Sequence, residues 1–307
     1  MGTCFSIHHR RTRLVGQAEQ PPAPVPRREG KGEGEEEARD WAELPVDALL
    51  AVLRRLDAVD ILTGAGHVCR PWRRATREEP ELWRRVDMRR RLAYRVDLQA
   101  AARAAVRRSA GRCEAFWTEI FGDNDFFLFL ADAAPMLKSL RLISCNGIPP
   151  HRMNEVIRRF PLLEELEISH YDLDSITTCL AGVGAACPLL TRLRLNHDRF
   201  YYRRPGDTGG CEAAEIAAMP GLRSLQLFAN SLRNADLAAI LDGCRRLESL
   251  DIRHCFNVSM NGEMRARCAG VKALRMPEDS MEGYDLPYAS PVTDCVYYSG
   301  VMYPDFF

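Results

Sequence analysis

Apolar residues recur in one spacing between residues 137 and 276. The phrases are Leu137-Leu140-Leu142, Leu163-Leu166-Ile168, Leu190-Leu193-Leu195, Leu222-Leu225-Leu227, Leu247-Leu250-Ile252 and Val271-Leu274-Met276. Alternation at the end of each phrase predicts a strand with one buried face. Between the phrases, three- and four-residue apolar spacing predicts helices at 124–134, 152–160, 176–186 and 235–244. Successive phrases begin 26, 27, 32, 25 and 24 residues apart. A single strand–helix unit cannot bury its apolar face, so such units must stack on their neighbours. Residues 113–120 keep the period and are expected to form an irregular capping strand.

This period is that of leucine-rich repeats of the longer type. The expected fold is therefore an α/β solenoid over 113–279, with parallel strands on its concave face and helices on its convex face. Residues 1–39 have another character: Pro21, Pro22, Pro24 and Pro26 precede a glycine and charge tract from Gly30 to Glu37. They read as a disordered leader, because such a composition buries too little apolar surface to fold. From 44 to 56, Leu49, Leu50, Leu53 and Leu56 return at helical spacing behind Pro45, which suits a first helical turn. Short helices around Val59, Ile61 and Leu62 and around Val68 and Trp72 are expected next, then an arginine-rich helical linker or N-terminal cap over 89–112. The segment from Ser280 to Phe307 carries seven aromatic residues without periodicity and reads as a Tyr-rich disordered tail.

Within 40–88, Leu44-Pro45, Asp47, Leu49-Leu50, Val52-Leu53, then Val68-Cys69-Arg70-Pro71-Trp72-Arg73 and Pro80-Glu81-Leu82-Trp83 resemble an F-box. An F-box followed by a leucine-rich solenoid resembles the plant F-box/LRR substrate receptors. The resemblance implies that the helices dock on the Skp-type adaptor of a cullin-RING (SCF) ubiquitin ligase, and that the repeats hold a protein substrate. Leu44, Pro45, Leu49, Leu53, Val68 and Trp72 are the matched positions expected at the adaptor surface. Gly64 and Gly66 depart from the family pattern and bear on the second helix.

In a parallel ladder the third, fifth and seventh phrase positions face the concave side. They set Arg141 beside Glu167, and Glu165 and Glu167 beside Arg192 and Arg194; cross-strand pairs of this kind contribute about 0.2–1 kcal/mol each. The charged middle thus reads equally as a self-satisfied network or as a recognition surface. Ile143, Phe228 and the Asp251–Arg253 pair are the expected target contacts on this face. The longest repeat places its excess in 199–210, where Phe200, Tyr201 and Tyr202 stand among arginines and are candidate target anchors. His170, His197 and His254 share the eighth position of their phrases, but no further ligands converge there, so a metal site is not assigned.

Composition narrows the remaining classes. The chain has 42 basic and 42 acidic residues, so an electrostatic partner must meet a local patch. Fourteen arginines against five acids between Arg70 and Arg112 make a nucleic-acid-binding adaptor one alternative, though aromatics are not interleaved there for base stacking. A non-ligase F-box/LRR scaffold is another. The sequence contains no Gly-x-Ser-x-Gly, phosphate-binding loop or His-Glu-x-x-His motif, so an enzyme is not expected, and no cofactor is implied. The front of the chain lacks an apolar signal, and eleven cysteines are then expected as reduced thiols in the cytoplasm or nucleus. Met1-Gly2-Thr3-Cys4-Phe5-Ser6 fits N-myristoylation at Gly2 with Cys4 as a second acyl site, implying a membrane-associated pool.

Overall fold

The computed structural model describes residues 40–89, 97–171, 176–200 and 212–289. Helices α1 (Val46–Leu53), α2 (Ala58–Thr63) and α3 (Arg70–Glu78) come first. Pro45 precedes the first turn of α1, and the Asp57 carboxylate caps α2 by accepting from the Asp60 amide at 2.9 Å. Gly64 ends α2 and leads into a 3₁₀ turn at Ala65–His67. A side chain on Gly66 would come within 3.0 Å of the Ile61 carbonyl oxygen, which accounts for glycine at this departure from the family pattern.

Eight strands follow in one parallel sheet, ordered as in the sequence: β1 (Arg85–Asp87), β2 (Ala115–Glu119), β3 (Ser139–Ile143), β4 (Glu165–Ser169), β5 (Arg192–Arg194), β6 (Ser224–Gln226), β7 (Ser249–Asp251) and β8 (Ala273–Arg275). Six of them match the repeated phrases. The expected capping strand is a regular member of the sheet, β2, and β1 is an addition at the end of the 40–88 segment, ahead of the helix that lies within 89–112. Residues Arg85 and Asp87 pair with Ala115 and Trp117, and the Met88 amide donates to the Trp117 carbonyl at 2.8 Å.

Helices α4 (Leu98–Arg108), α5 (Asn124–Ala133), α6 (Pro150–Ile157), α7 (Ile176–Leu180), α8 (Val183–Ala186), α9 (Ala213–Ala217), α10 (Asn234–Gly243) and α11 (Gly262–Arg267) alternate with the strands. The helix expected over 176–186 is two, because Gly182 takes a left-handed conformation (φ 67°) between α7 and α8. Layer packing is tight: a Cβ on Gly243 would lie 2.3 Å from the Ala217 carbonyl oxygen of the preceding helix.

The phrase leucines, Leu140, Leu166, Leu193, Leu225 and Leu250, are fully or almost fully buried and form one continuous core. The same core runs into the N-terminal helices through Leu49, Leu53, Trp72, Trp83 and Val86. Trp83 donates its indole N–H to the Thr76 carbonyl at 3.1 Å while Arg108 of α4 lies over its ring at 5.2 Å. The trihelical segment therefore shares an interior with the first repeats. This corrects the assignment of Leu49, Leu53 and Trp72 to an adaptor surface. The apolar stripe of α1 faces its own chain, as an amphipathic helix does when a neighbouring element covers it.

Candidate functional site

Three rows of side chains line the strand face opposite the helices, because every second residue of a strand points the same way. The middle row reads Asp87, Trp117, Arg141, Glu167, Arg194, Gln226, Asp251 and Arg275 from β1 to β8. Polar groups along it are joined into a chain. Arg141 pairs with Glu165 at 2.9 Å, Arg192 with Glu165 at 3.0 Å, and Arg194 with Glu167 at 3.1 Å. Arg194 also donates to the Gln226 side-chain oxygen, whose amide donates to Asp251 at 2.7 Å, and Asp251 receives Arg253 at 2.7 Å. Of the two sequence readings of this middle, the structure supports the self-satisfied network. Trp117 closes it at the front, with the guanidinium of Arg141 4.4 Å and those of Arg85 and Arg89 4.7 Å from its ring centre.

Burial and pairing act in opposition on these carboxylates. Burial works to raise the Glu165 pKa, but hydrogen bonds from Ser139, Arg192 and Arg141, with the Arg141 charge, outweigh it and bring it down to about 2. Burial dominates at Glu167 and raises its pKa despite the charges of Arg194 and Arg141. At Asp251, burial is outweighed by hydrogen bonds from Arg253 and Gln226, and its pKa is lowered. A carboxylate with a lowered folded-state pKa stabilises the fold above its unfolded pKa and loses that contribution as pH falls through the folded value. For Glu165 the window runs from pH about 4.5 down to about 2, and its contribution is on the order of 3 kcal/mol. Glu167 acts in the opposite sense and offsets part of it. The denaturant midpoint is thus expected to drop between pH 5 and pH 3, and a Glu165→Gln chain to show a flatter dependence. An equal slope in both chains contradicts the ion-pair account.

The expected target contacts are not free on this surface. Ile143 and Phe228 are buried, as is Phe200, which meets Phe256 edge-on at 5.3 Å. Asp251 and Arg253 are buried and paired with each other. The reason is a segment the sequence left unstructured. Residues 280–289 lie across the third row: Arg253 donates to the carbonyls of Ser280 at 3.0 Å and Glu282 at 3.1 Å, and Tyr284 stacks on Phe228 at 4.1 Å. Asp285 pairs with Arg194, Leu286 is buried, and the Ala289 amide donates to the Asp198 carbonyl at 2.7 Å. Hollows of about 490 Å³ flank this strap on either side. One is lined by Asp57, Asp87, Arg89, Glu119 and Leu286, the other by Arg192, Arg194, Arg253 and Arg275 together with Asp251, Glu282 and Asp285. Tyr201, Tyr202, Gly2 and Cys4 lie outside the described residues, as do the leader at 1–39 and the last residues of the tail.

The eighth position has a left-handed backbone in most of the repeats, though not at His197. Ile120, Ser144, His170, Ala229 and His254 all take positive φ between 53° and 74°, a left-handed link between strand and loop that histidine tolerates better than most side chains. His254 packs between Phe228 at 4.8 Å and Phe256 at 5.2 Å. Among the described residues no group of three metal-ligating side chains converges. The eight described cysteines are free thiols; burial pushes Cys113, Cys145 and Cys179 up to about 12, which keeps them protonated and unreactive at neutral pH.

A second surface lies on the N-terminal helices. Val46, Val52 and Val68 are 64%, 41% and 55% exposed, beside the exposed Pro45 and half-buried Leu44. Val68 belongs to the sequence-derived set. Val46 and Val52 were missed: Val46 continues the Leu49–Leu50–Leu53 stripe but sits exposed in the first turn of α1, whereas Val52 lies off the stripe. Among the described residues, the arginines from 70 to 112 are largely engaged within the chain. Arg84 pairs with Glu114 at 2.6 Å, Arg112 with Glu81 at 3.0 Å and Arg89 with Asp87 at 2.8 Å, while Arg103 and Arg107 lie over Phe129. That arrangement favours a structural use of these side chains over a phosphate-binding one.

A helical module fused to a leucine-rich solenoid is the class this architecture defines. Residues 41–89 match the F-box-like family model. The chain is 40% identical over 247 residues to putative F-box/LRR-repeat protein 23 of Arabidopsis thaliana, covering 79% of this chain and 54% of that protein. It is 38% identical to F-box protein SKIP19, over 81% of each chain, and 36% identical to putative F-box/LRR-repeat protein 22, over 82% and 81%, both also of Arabidopsis thaliana. The chain belongs to the plant F-box/LRR-repeat proteins. It spans about half the length of the first of these relatives and four-fifths of the other two. A solved internalin from Listeria monocytogenes aligns with a TM-score of 0.33 at 14% identity, covering 56% of this chain and 42% of that one.

Proposed function

We propose that this F-box protein is the substrate-recognition subunit of an SCF-type ubiquitin ligase. It docks the Skp-type adaptor, and through it the cullin, by its N-terminal helices, and holds a protein target on its repeats. The observation that carries the reading is the set of exposed apolar side chains, Val46, Val52 and Val68, on a module whose core leucines are already satisfied by its own chain. These side chains are left in water within the segment that matches the F-box-like family model, residues 41–89, and that match supports an adaptor as their partner. The subunit is non-catalytic in this reading: ubiquitin transfer belongs to the ligase partners. It acts in the cytoplasm or nucleus, with a membrane-associated pool if Gly2 and Cys4 are acylated. Affinity purification of the tagged full chain from plant cells, with and without proteasome inhibition, tests the proposal. Adaptor and cullin are expected to co-purify, and one or more further proteins to accumulate only under inhibition. Recovery of the chain without adaptor or cullin contradicts it.

A further inference from the structure

The strap at 280–289 is held as a bound peptide is held. Its backbone carbonyls at Ser280 and Glu282 are taken by one guanidinium, Arg253. The Tyr284 ring lies flat on Phe228 with that same guanidinium 5.5 Å from its centre, and the Asp285 carboxylate is taken by Arg194. Leu286 is buried and, with Ile143, lines the hollow that also holds Asp57, Asp87, Arg89 and Glu119. Beneath the strap, Phe200, Phe228 and Ala229 form an apolar cluster distinct from the solenoid core, covered from above by Met281 and Tyr284.

The attachment is local. Glu282, Gly283, Asp285, Pro287 and Tyr288 remain exposed, and the buried Tyr284 hydroxyl has no hydrogen-bond partner among the described residues. Burying a hydroxyl without a partner costs stability, and lifting the strap would return it to water. Arg194, in contrast, keeps its Glu167 and Gln226 partners without the strap. The polar floor therefore keeps partners of its own, whereas Phe228 would be uncovered and left open to another apolar side chain.

We propose that the strap is an intramolecular stand-in for the target: the Phe228–Arg194–Arg253 floor recognises an extended protein segment bearing an aromatic residue, then a carboxylate, then an aliphatic residue, as Tyr284-Asp285-Leu286 does. This rests on the reading that the repeats hold the target, and it names the chemistry they select. A tethered competitor sits at millimolar effective concentration, so a target must displace it or engage a chain in which it is loosened. The flanking hollows, each lined by both acidic and basic side chains, would take the neighbouring residues of such a segment.

The test uses the full chain and a fluorescein-labelled peptide with the sequence of residues 281–289, followed by anisotropy. Asp285→Lys places a cation against Arg194 and opens the strap. The labelled peptide is expected to bind this variant at least about tenfold more tightly than the unaltered chain, since the competent state is no longer masked. A peptide with its aspartate replaced by lysine, or its first tyrosine by alanine, is expected to lose that binding. Equal affinity for both chains, or equal binding of the altered peptides, overturns the proposal. Loss of the cooperative unfolding transition in Asp285→Lys also overturns it, by making the strap part of the fold. Adaptor capture is read on the same samples: its absence contradicts the ligase reading and leaves the peptide result standing, and the reverse holds equally.

Discussion

Replacing Val46 and Val68 together by glutamate is expected to weaken binding of a Skp-type adaptor about 100-fold, while the melting temperature stays within a few degrees of the unaltered chain. Both side chains are more than half exposed, so charge at these positions costs the fold little. At an interface the same charge would be desolvated against an apolar partner, and well-packed apolar anchors are each worth about 2 kcal/mol. The contrast is with Leu49→Ala, Leu53→Ala and Trp72→Ala. These residues are buried, and their truncation is expected to reduce adaptor binding only in proportion to the fraction of chain that unfolds. Titration of purified adaptor, with thermal melts of each variant alongside, separates the two behaviours. Full adaptor affinity in the Val46→Glu, Val68→Glu chain would remove these helices from the interface.

Trp83→Ala carries the largest expected effect on stability. The indole is completely buried, and its loss leaves a cavity at the junction of the helical module and the first repeats, together with an unpaired Thr76 carbonyl. Large aromatic truncations in cores cost about 3–5 kcal/mol, which for a chain of this size lowers the melting temperature by about 10 °C. Arg108 loses the ring it covers. Because one core runs through both parts, a single cooperative transition is expected to move as a whole. Two transitions, with the solenoid unaffected, would mean that the module and the repeats fold separately.

What the residues disclosed in advance follows from how local each cause was. The phrase leucines are buried by their own stacking neighbours, so their spacing alone places β3 to β8, and the fixed register puts Arg141 beside Glu167 and Glu167 beside Arg194 as the positions require. The strand β1 has only Arg85, Val86 and Asp87, too short for periodicity, and exists because the β2 edge is there to pair with it. Tyr284-Asp285-Leu286 shows no pattern, since what orders it is Arg194, 91 positions away. The same long-range contact turned Phe228 and Arg253 from apparent anchors into covered ones. For α1 the stripe was readable, but which body covers it was not: Leu49 and Leu53 serve the chain's own interior, while Val46 at the exposed first turn and Val52 beside the stripe are what is left in water.

In the proposed assembly the helical module is an adaptor-docking surface on a folded repeat protein. Mixing the purified full chain with a purified Skp-type adaptor, and measuring the complex by size-exclusion chromatography with light scattering and by titration, tests it most directly. A stable one-to-one complex is expected, which the paired Val46→Glu, Val68→Glu substitution breaks and Asp285→Lys leaves intact. Separate elution of the two folded proteins at every concentration tried would contradict it.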